Sequence, residues 1–135
     1  MNNEKISIKM FIPGIAWFLI VAVLVFMPGD DVPDVGFNFM QIDKLVHICM
    51  FGGLTYLFSI PYLKSGISLR KKKKSFLIIS ILFIAWGLGV EFIQKYFAYH
   101  RSFDLLDWAA DTIGVTIAFV LLQKLAKKRS LSREI

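Results

Sequence analysis

The chain has 135 residues, which allows one domain and little more. With 56 % apolar residues, 13 Phe and a mean hydropathy of +0.62, it is too apolar for a soluble domain of this size and reads as an all-α integral membrane protein. Its net charge of +6 is gathered in short clusters beside apolar spans, which excludes a nucleic-acid partner, and its single cysteine, Cys49, excludes a disulfide within the chain.

Four stretches approach the roughly 20 apolar residues that cross a bilayer. The first, residues 8–27, has no charge after Lys9. Pro28 and Gly29 follow it in place of a small-residue cleavage site, so it reads as an uncleaved span rather than a signal peptide. The second, 43–62, opens on Asp43, Lys44 and His47. The third, 75–97, carries Glu91 and Gln94 near its end. The fourth, 104–125, is the least apolar because Asp107 and Asp111 lie within it, and a basic tail, 126–135, follows. The expected fold is an antiparallel four-helix membrane bundle.

The loops orient it. The connection between the second and third spans carries Lys64, Arg70, Lys71, Lys72, Lys73 and Lys74, and the C-terminal end carries Lys124, Lys127, Lys128, Arg129 and Arg133. The first loop, PGDDVPDVGFNFMQ, has three Asp and no Lys or Arg. By the positive-inside rule both termini and the Lys-rich loop are cytoplasmic. The Lys run reads as a solvated, topology-setting loop, with an anionic-lipid site as the alternative.

On that topology the ionisable groups gather at the outer face. Asp43 and His47 are four apart and share a helical face, and Glu91 and Gln94 are three apart. Asp104, Asp107, Asp111, Gly114 and Ala118 form one stripe, while Leu106, Val115 and Phe119 are assigned to lipid. Ala110, Gly114 and Ala118 have the spacing that permits close helix approach. Ser102 is the expected N-cap of the fourth helix, with Asp104 at its positive end. Lys44, Lys95 and His100 are expected to snorkel to headgroups. Glu91 is expected to pair with Arg101. The carboxylates outnumber their cations, and in a low dielectric the excess must be protonated, bound to a cation or opened to water. Asp43, His47, Glu91, Asp107 and Asp111 are hard ligands suited to a divalent cation, though no tight motif such as HExxH marks a metal site.

The segments DKLVH (43–47), GVEFIQ (89–94) and RSFDLLDWAADTIG (101–114) resemble the VanZ-like family of small bacterial membrane proteins, over about residues 10–125. The resemblance implies a polar set of Asp43, Lys44, His47, Glu91, Gln94, Arg101, Ser102, Asp104, Asp107 and Gly114, with Asp111 where that family usually has Asn. It implies a bacterial cytoplasmic-membrane location and a link to resistance against the glycopeptide teicoplanin, and it supplies no reaction. Together these readings give an extracytoplasmic polar pocket for a membrane lipid or a lipid-linked, phosphate-bearing envelope precursor. Arg101 and Lys44 would meet the anion, with Gln94, Ser102 and Asp111 beside them. His47, Glu91 and Asp107 would handle protons, while Asp104 and Asp107 orient Arg101 or hold a cation. The enzymatic form is an intramembrane hydrolase or transferase. The alternatives are a small proton- or cation-coupled transporter subunit and a structural assembly partner.

Overall fold

The computed structural model describes residues 5–26, 39–97 and 103–132. A 3-10 turn, Ile8–Phe11, leads into helix α1, Ile12–Phe26; α2 spans Phe39–Lys64, α3 Leu69–Phe97 and α4 Leu105–Leu131. All four are long and apolar enough to cross a membrane. The protein is a multi-pass membrane protein built as an antiparallel four-helix bundle. Such a chain must satisfy its backbone polar groups internally, which continuous helices do.

Local chemistry sets the helix ends. Pro13 lies in the first turn of α1, where its missing N–H breaks no helical bond. α2 closes as the Ser65 N–H donates to the Pro61 carbonyl at 3.1 Å and the Ser65 hydroxyl donates to the Tyr62 carbonyl at 2.8 Å. At α4 the N-cap is Asp104, whose Oδ1 accepts from the Leu106 N–H at 2.8 Å. Ser102, the residue expected there, lies outside the described residues.

Two expectations are corrected. α3 begins at Leu69 rather than at residue 75, so the Lys run is helical and not a loop. Lys72 is buried there, since it leads the stripe Lys72, Phe76, Ser80 along the inner face of α3. On α4 Leu106 is exposed as expected, but Val115 is fully buried and Phe119 packs against the lower core. α4 is wedged against both α2 and α3, so its buried stripe is wider than a lipid-facing helix would need.

The core has two parts. Val21, Val25, Met50, Phe51, Leu54, Val90 and Val115 fill the half below the carboxylates, and Leu63, Phe76, Leu122 and Ala126 fill the basic end. Interhelical hydrogen bonds pin the frame: Trp17 Nε1 donates to the Met50 carbonyl, Trp108 Nε1 to the Ile84 carbonyl, both at 3.0 Å, and Gln94 Nε2 to the Val25 carbonyl at 2.8 Å. α2 and α4 make the most extensive contact and touch backbone to backbone at Gly52 and Gly114.

That approach requires the absence of a side chain. A Cβ on Gly114 would collide with the Ile48 carbonyl oxygen and lie 3.0 Å from the Gly52 nitrogen. Gly114→Ala is therefore expected to destabilise the bundle by about 1–3 kcal/mol, the usual cost of overpacking. Gly89→Ala, with no atom within 4 Å of the added carbon, is expected to be neutral or mildly stabilising. Thermal unfolding of both variants in detergent checks this, and equal losses would remove the α2–α4 contact as the determinant.

Candidate functional site

Asp43, Lys44 and His47 occupy the first turns of α2 above the core, Glu91 the late turns of α3, and Asp104, Asp107 and Asp111 the start of α4. Because the helices alternate in direction, these three stretches meet at one end of the bundle. Lys44 is the hub. Its Nζ donates to Asp104 Oδ2 at 2.9 Å and to Asp107 Oδ1, and lies 3.8 Å from Asp43 Oδ2. The expectation that Lys44 snorkels away is thereby corrected: three carboxylates hold the ammonium inside the cluster. Lys95 is exposed and lies over the Tyr96 ring, away from these contacts.

Beneath the hub sits the imidazole of His47, 3 % exposed. Its Nδ1 is 2.8 Å from Oδ1 of the fully buried Asp111, and its Nε2 is 3.9 Å from Asp107 Oδ2. With Asp111 ionised, which can only accept, Nδ1 carries the proton and Nε2 is the nitrogen turned toward Asp107. Gly87 on α3 makes room for this pair, since a Cβ there would lie 2.9 Å from Asp111 Oδ2. Nothing in the sequence pattern singled out Gly87.

Glu91 is fully buried. Its Oε2 accepts from the Asp104 backbone N–H at 2.9 Å, joining α3 to the N-cap of α4. The expected partner, Arg101, lies outside the described residues, as do Ser102 and His100. Glu91 Oε1 and Asp111 Oδ2 are buried and accept no hydrogen bond from the described residues. Gln94, expected among the ligand-binding residues, donates from Nε2 to the Val25 carbonyl at the end of α1 at 2.8 Å. Three cavities lie elsewhere on the bundle, and no residue of the cluster lines them.

Ligand atoms of Asp43, His47 and Asp107 lie within 4.8 Å of one another. This set suits a hard divalent cation, and Asp111 behind His47 repeats the carboxylate–histidine arrangement that orients metal-binding imidazoles. The Lys44 ammonium lies among the same carboxylates, so a cation there would share them with Lys44.

No protein-family model matches the chain, and no solved structure matches it. It is 34 % identical over 119 residues to an uncharacterized protein of Schizosaccharomyces pombe, an alignment that takes in 88 % of this chain and 65 % of the yeast protein. The chain thus spans less than two thirds of that relative's length. These findings overturn the VanZ-like assignment, and the bacterial source and the glycopeptide-resistance link that rested on it are left without support. The three segments that carried it are short. Each is what buried charge in helices requires anyway: Asp and His one turn apart, or carboxylates beside a helix start. Such pieces report local physics, not descent.

Asp104 lies ahead of the α4 span, and the Lys44 ammonium hydrogen-bonded to it holds its carboxyl below the usual carboxylate range. A depressed folded-state pKa means the link contributes stability above the ordinary carboxylate pKa and loses it as pH falls through the lowered value. Lys44→Met is expected to destabilise the protein at pH 7, by somewhat less than the ~3–5 kcal/mol of a fully buried broken pair, because Lys44 is partly exposed. The gap between wild type and Lys44→Met should narrow on acidification from pH 5 to about pH 3. Unfolding temperatures of both proteins across that range check this.

Proposed function

We propose that the polar end of the bundle is an acid–base site that binds and processes the headgroup of a lipid-linked or phosphate-bearing ligand at the membrane surface. The observation that carries this reading is His47, fixed by Asp111 on one nitrogen and turned toward Asp107 with the other. A lone pair on Nε2 facing a carboxylate is stable only with a proton or a cation between them, which is the condition of a group that exchanges protons. In this reading His47 takes and returns the proton, Asp111 orients it, and Asp107 with Glu91 stabilises its charged form. Lys44 meets the ligand's anionic group, helped by Arg101 and Ser102. The site lies near the starts of α2 and α4, and in this reading that end of the bundle meets the lipid headgroups, so a ligand reaches it along the interface.

One observation favours a proton or cation relay as the second reading. Thr55, Ser59 and Ser80 continue the buried polar groups down the bundle, and the Ser59 and Ser80 hydroxyls find no hydrogen-bond partner among the described residues. The two readings separate experimentally. Native mass spectrometry of the purified protein in nanodiscs should find a co-purified lipid that is lost in His47→Asn and Asp111→Asn while both variants keep their helicity. Undiminished lipid in these variants, together with proton flux into proteoliposomes that Ser59→Ala abolishes, would sink the first reading in favour of the second.

The orientation belongs to the same proposal: the basic end is cytoplasmic and the polar cluster faces the opposite side. In a Cys49→Ala background, Lys73→Cys should label only from the cytoplasmic side and Asp31→Cys only from the other. Lys73 is chosen because it is exposed where Lys72 is buried.

A further inference from the structure

At the opposite end of the bundle, about 25–30 Å from the carboxylates at 1.5 Å per residue, the basic residues are organised and not merely scattered. The buried Lys72 Nζ donates to the Leu63 carbonyl at 2.9 Å, and Arg129 donates to the same oxygen at 3.3 Å. Leu63 belongs to the last turn of α2, whose final carbonyls have no partner within the helix. This carbonyl draws together cations from α3 and α4. Beside them lies a cavity of about 180 Å³ lined by Lys72, Arg129, the hydroxyl-bearing Ser68 and Ser130, and the apolar Ile67 and Leu69. A single water needs only roughly 10–15 Å³ by the same kind of measure.

The chemistry of the lining is that of an anion site. Ser68 and Leu69 stand at the start of the 29-residue α3, which brings its positive dipole end to this region; the Ser68 carbonyl and hydroxyl accept from the Lys72 and Lys71 N–H groups. The Arg129 guanidinium has five N–H donors, of which one goes to Leu63 among the described residues, and its planar fork matches phosphate oxygens. The serine hydroxyls add donors at the rim. Among the described residues, none that lines the cavity is acidic. Arg70, Lys71, Lys73 and Lys74 on α3 and Lys127 and Lys128 on α4 surround it and raise the local concentration of anions.

We propose that this cavity binds the phosphate of an anionic phospholipid headgroup. Lipid, rather than a soluble phosphate, is indicated by position. The cavity lies where the apolar lengths of α2, α3 and α4 reach the interface, and Ile67 and Leu69 offer an apolar wall beside the cations. An amphiphile places phosphate on Lys72 and Arg129 and its glycerol and acyl portions against that wall. Basic pockets between membrane helices recognise lipid headgroups in this way. Occupancy would brace the junction of three helices and anchor the basic end in an anionic leaflet.

The test titrates the purified full chain in neutral detergent with dioctanoyl phosphatidic acid, dioctanoyl phosphatidylcholine and inorganic phosphate, with affinity read by thermophoresis. Saturable binding of the phosphatidic acid is expected, at least about tenfold tighter than of the zwitterionic lipid. Lys72→Gln/Arg129→Gln should weaken it about tenfold or more, while the charge-matched, exposed pair Lys73→Gln/Lys128→Gln changes it less than about threefold. Equal losses in the two double variants would trace the binding to diffuse surface potential and overturn the site. Inorganic phosphate binding as tightly as phosphatidic acid would assign the cavity to a soluble anion and overturn the lipid. If Lys72→Gln lowers the folded yield, Arg129→Gln, at an exposed position, carries the same comparison against Lys128→Gln.

Discussion

Lys44 and the carboxylates around it are the constraint on which the polar end depends. Removing a carboxylate from water is costly, and the low dielectric of a bundle core leaves few remedies. Here one ammonium is shared by Asp43, Asp104 and Asp107, one imidazole is shared by Asp107 and Asp111, and one backbone N–H is given to Glu91. Apart from the Lys44–Asp43 contact within α2, each of these links joins different helices or ties one to the N-cap of α4. The network therefore determines how α2, α3 and α4 sit relative to one another at this end. It also leaves Glu91 Oε1 and Asp111 Oδ2 without a hydrogen bond among the described residues.

Small residues let that network close. The contact of Gly52 with Gly114 brings α2 and α4 together immediately below His47 and Asp111, and Gly87 admits Asp111 against α3. Without a hydrophobic driving force between helices in lipid, close van der Waals contact and interhelical hydrogen bonds carry the association. Trp17, Trp108 and Gln94 supply such bonds around the periphery, Trp17 and Gln94 both fastening α1, which otherwise contacts its neighbours least.

The two ends of the bundle solve opposite problems with related means. At one, excess carboxylates gather a lysine and a histidine; at the other, Lys72 and Arg129 converge on the free carbonyl end of α2. Between them the core is apolar apart from a few hydroxyls. The polar groups thus gather at the two ends of the helices and the apolar groups between them, as four membrane-competent spans require.

The number of helices, their membrane character and the gathering of polar groups at one end were legible in the sequence, because a span is defined by length and hydropathy and an i, i+4 pair by helical geometry. Asp43 with His47, and Asp107 with Asp111, follow from those rules alone. Their partners did not. Whether Lys44 snorkels outward or turns inward depends on which carboxylates the neighbouring helix presents, and only packing decides that. Asp104 took the N-cap, and Gln94 turned to α1, for the same reason: a side chain with several donors or acceptors goes to whatever group the fold leaves unsatisfied nearby. The short polar segments suggested a family that the comparisons contradict, since charge compensation in membrane helices recurs with a small vocabulary. Lys72 is the sharpest case. In sequence it is one of four identical lysines; in the fold it is the one whose angular position on α3 points it at the open end of α2. Periodicity fixes a residue's angle on its own helix, but which neighbour stands at that angle is a property of the tertiary structure.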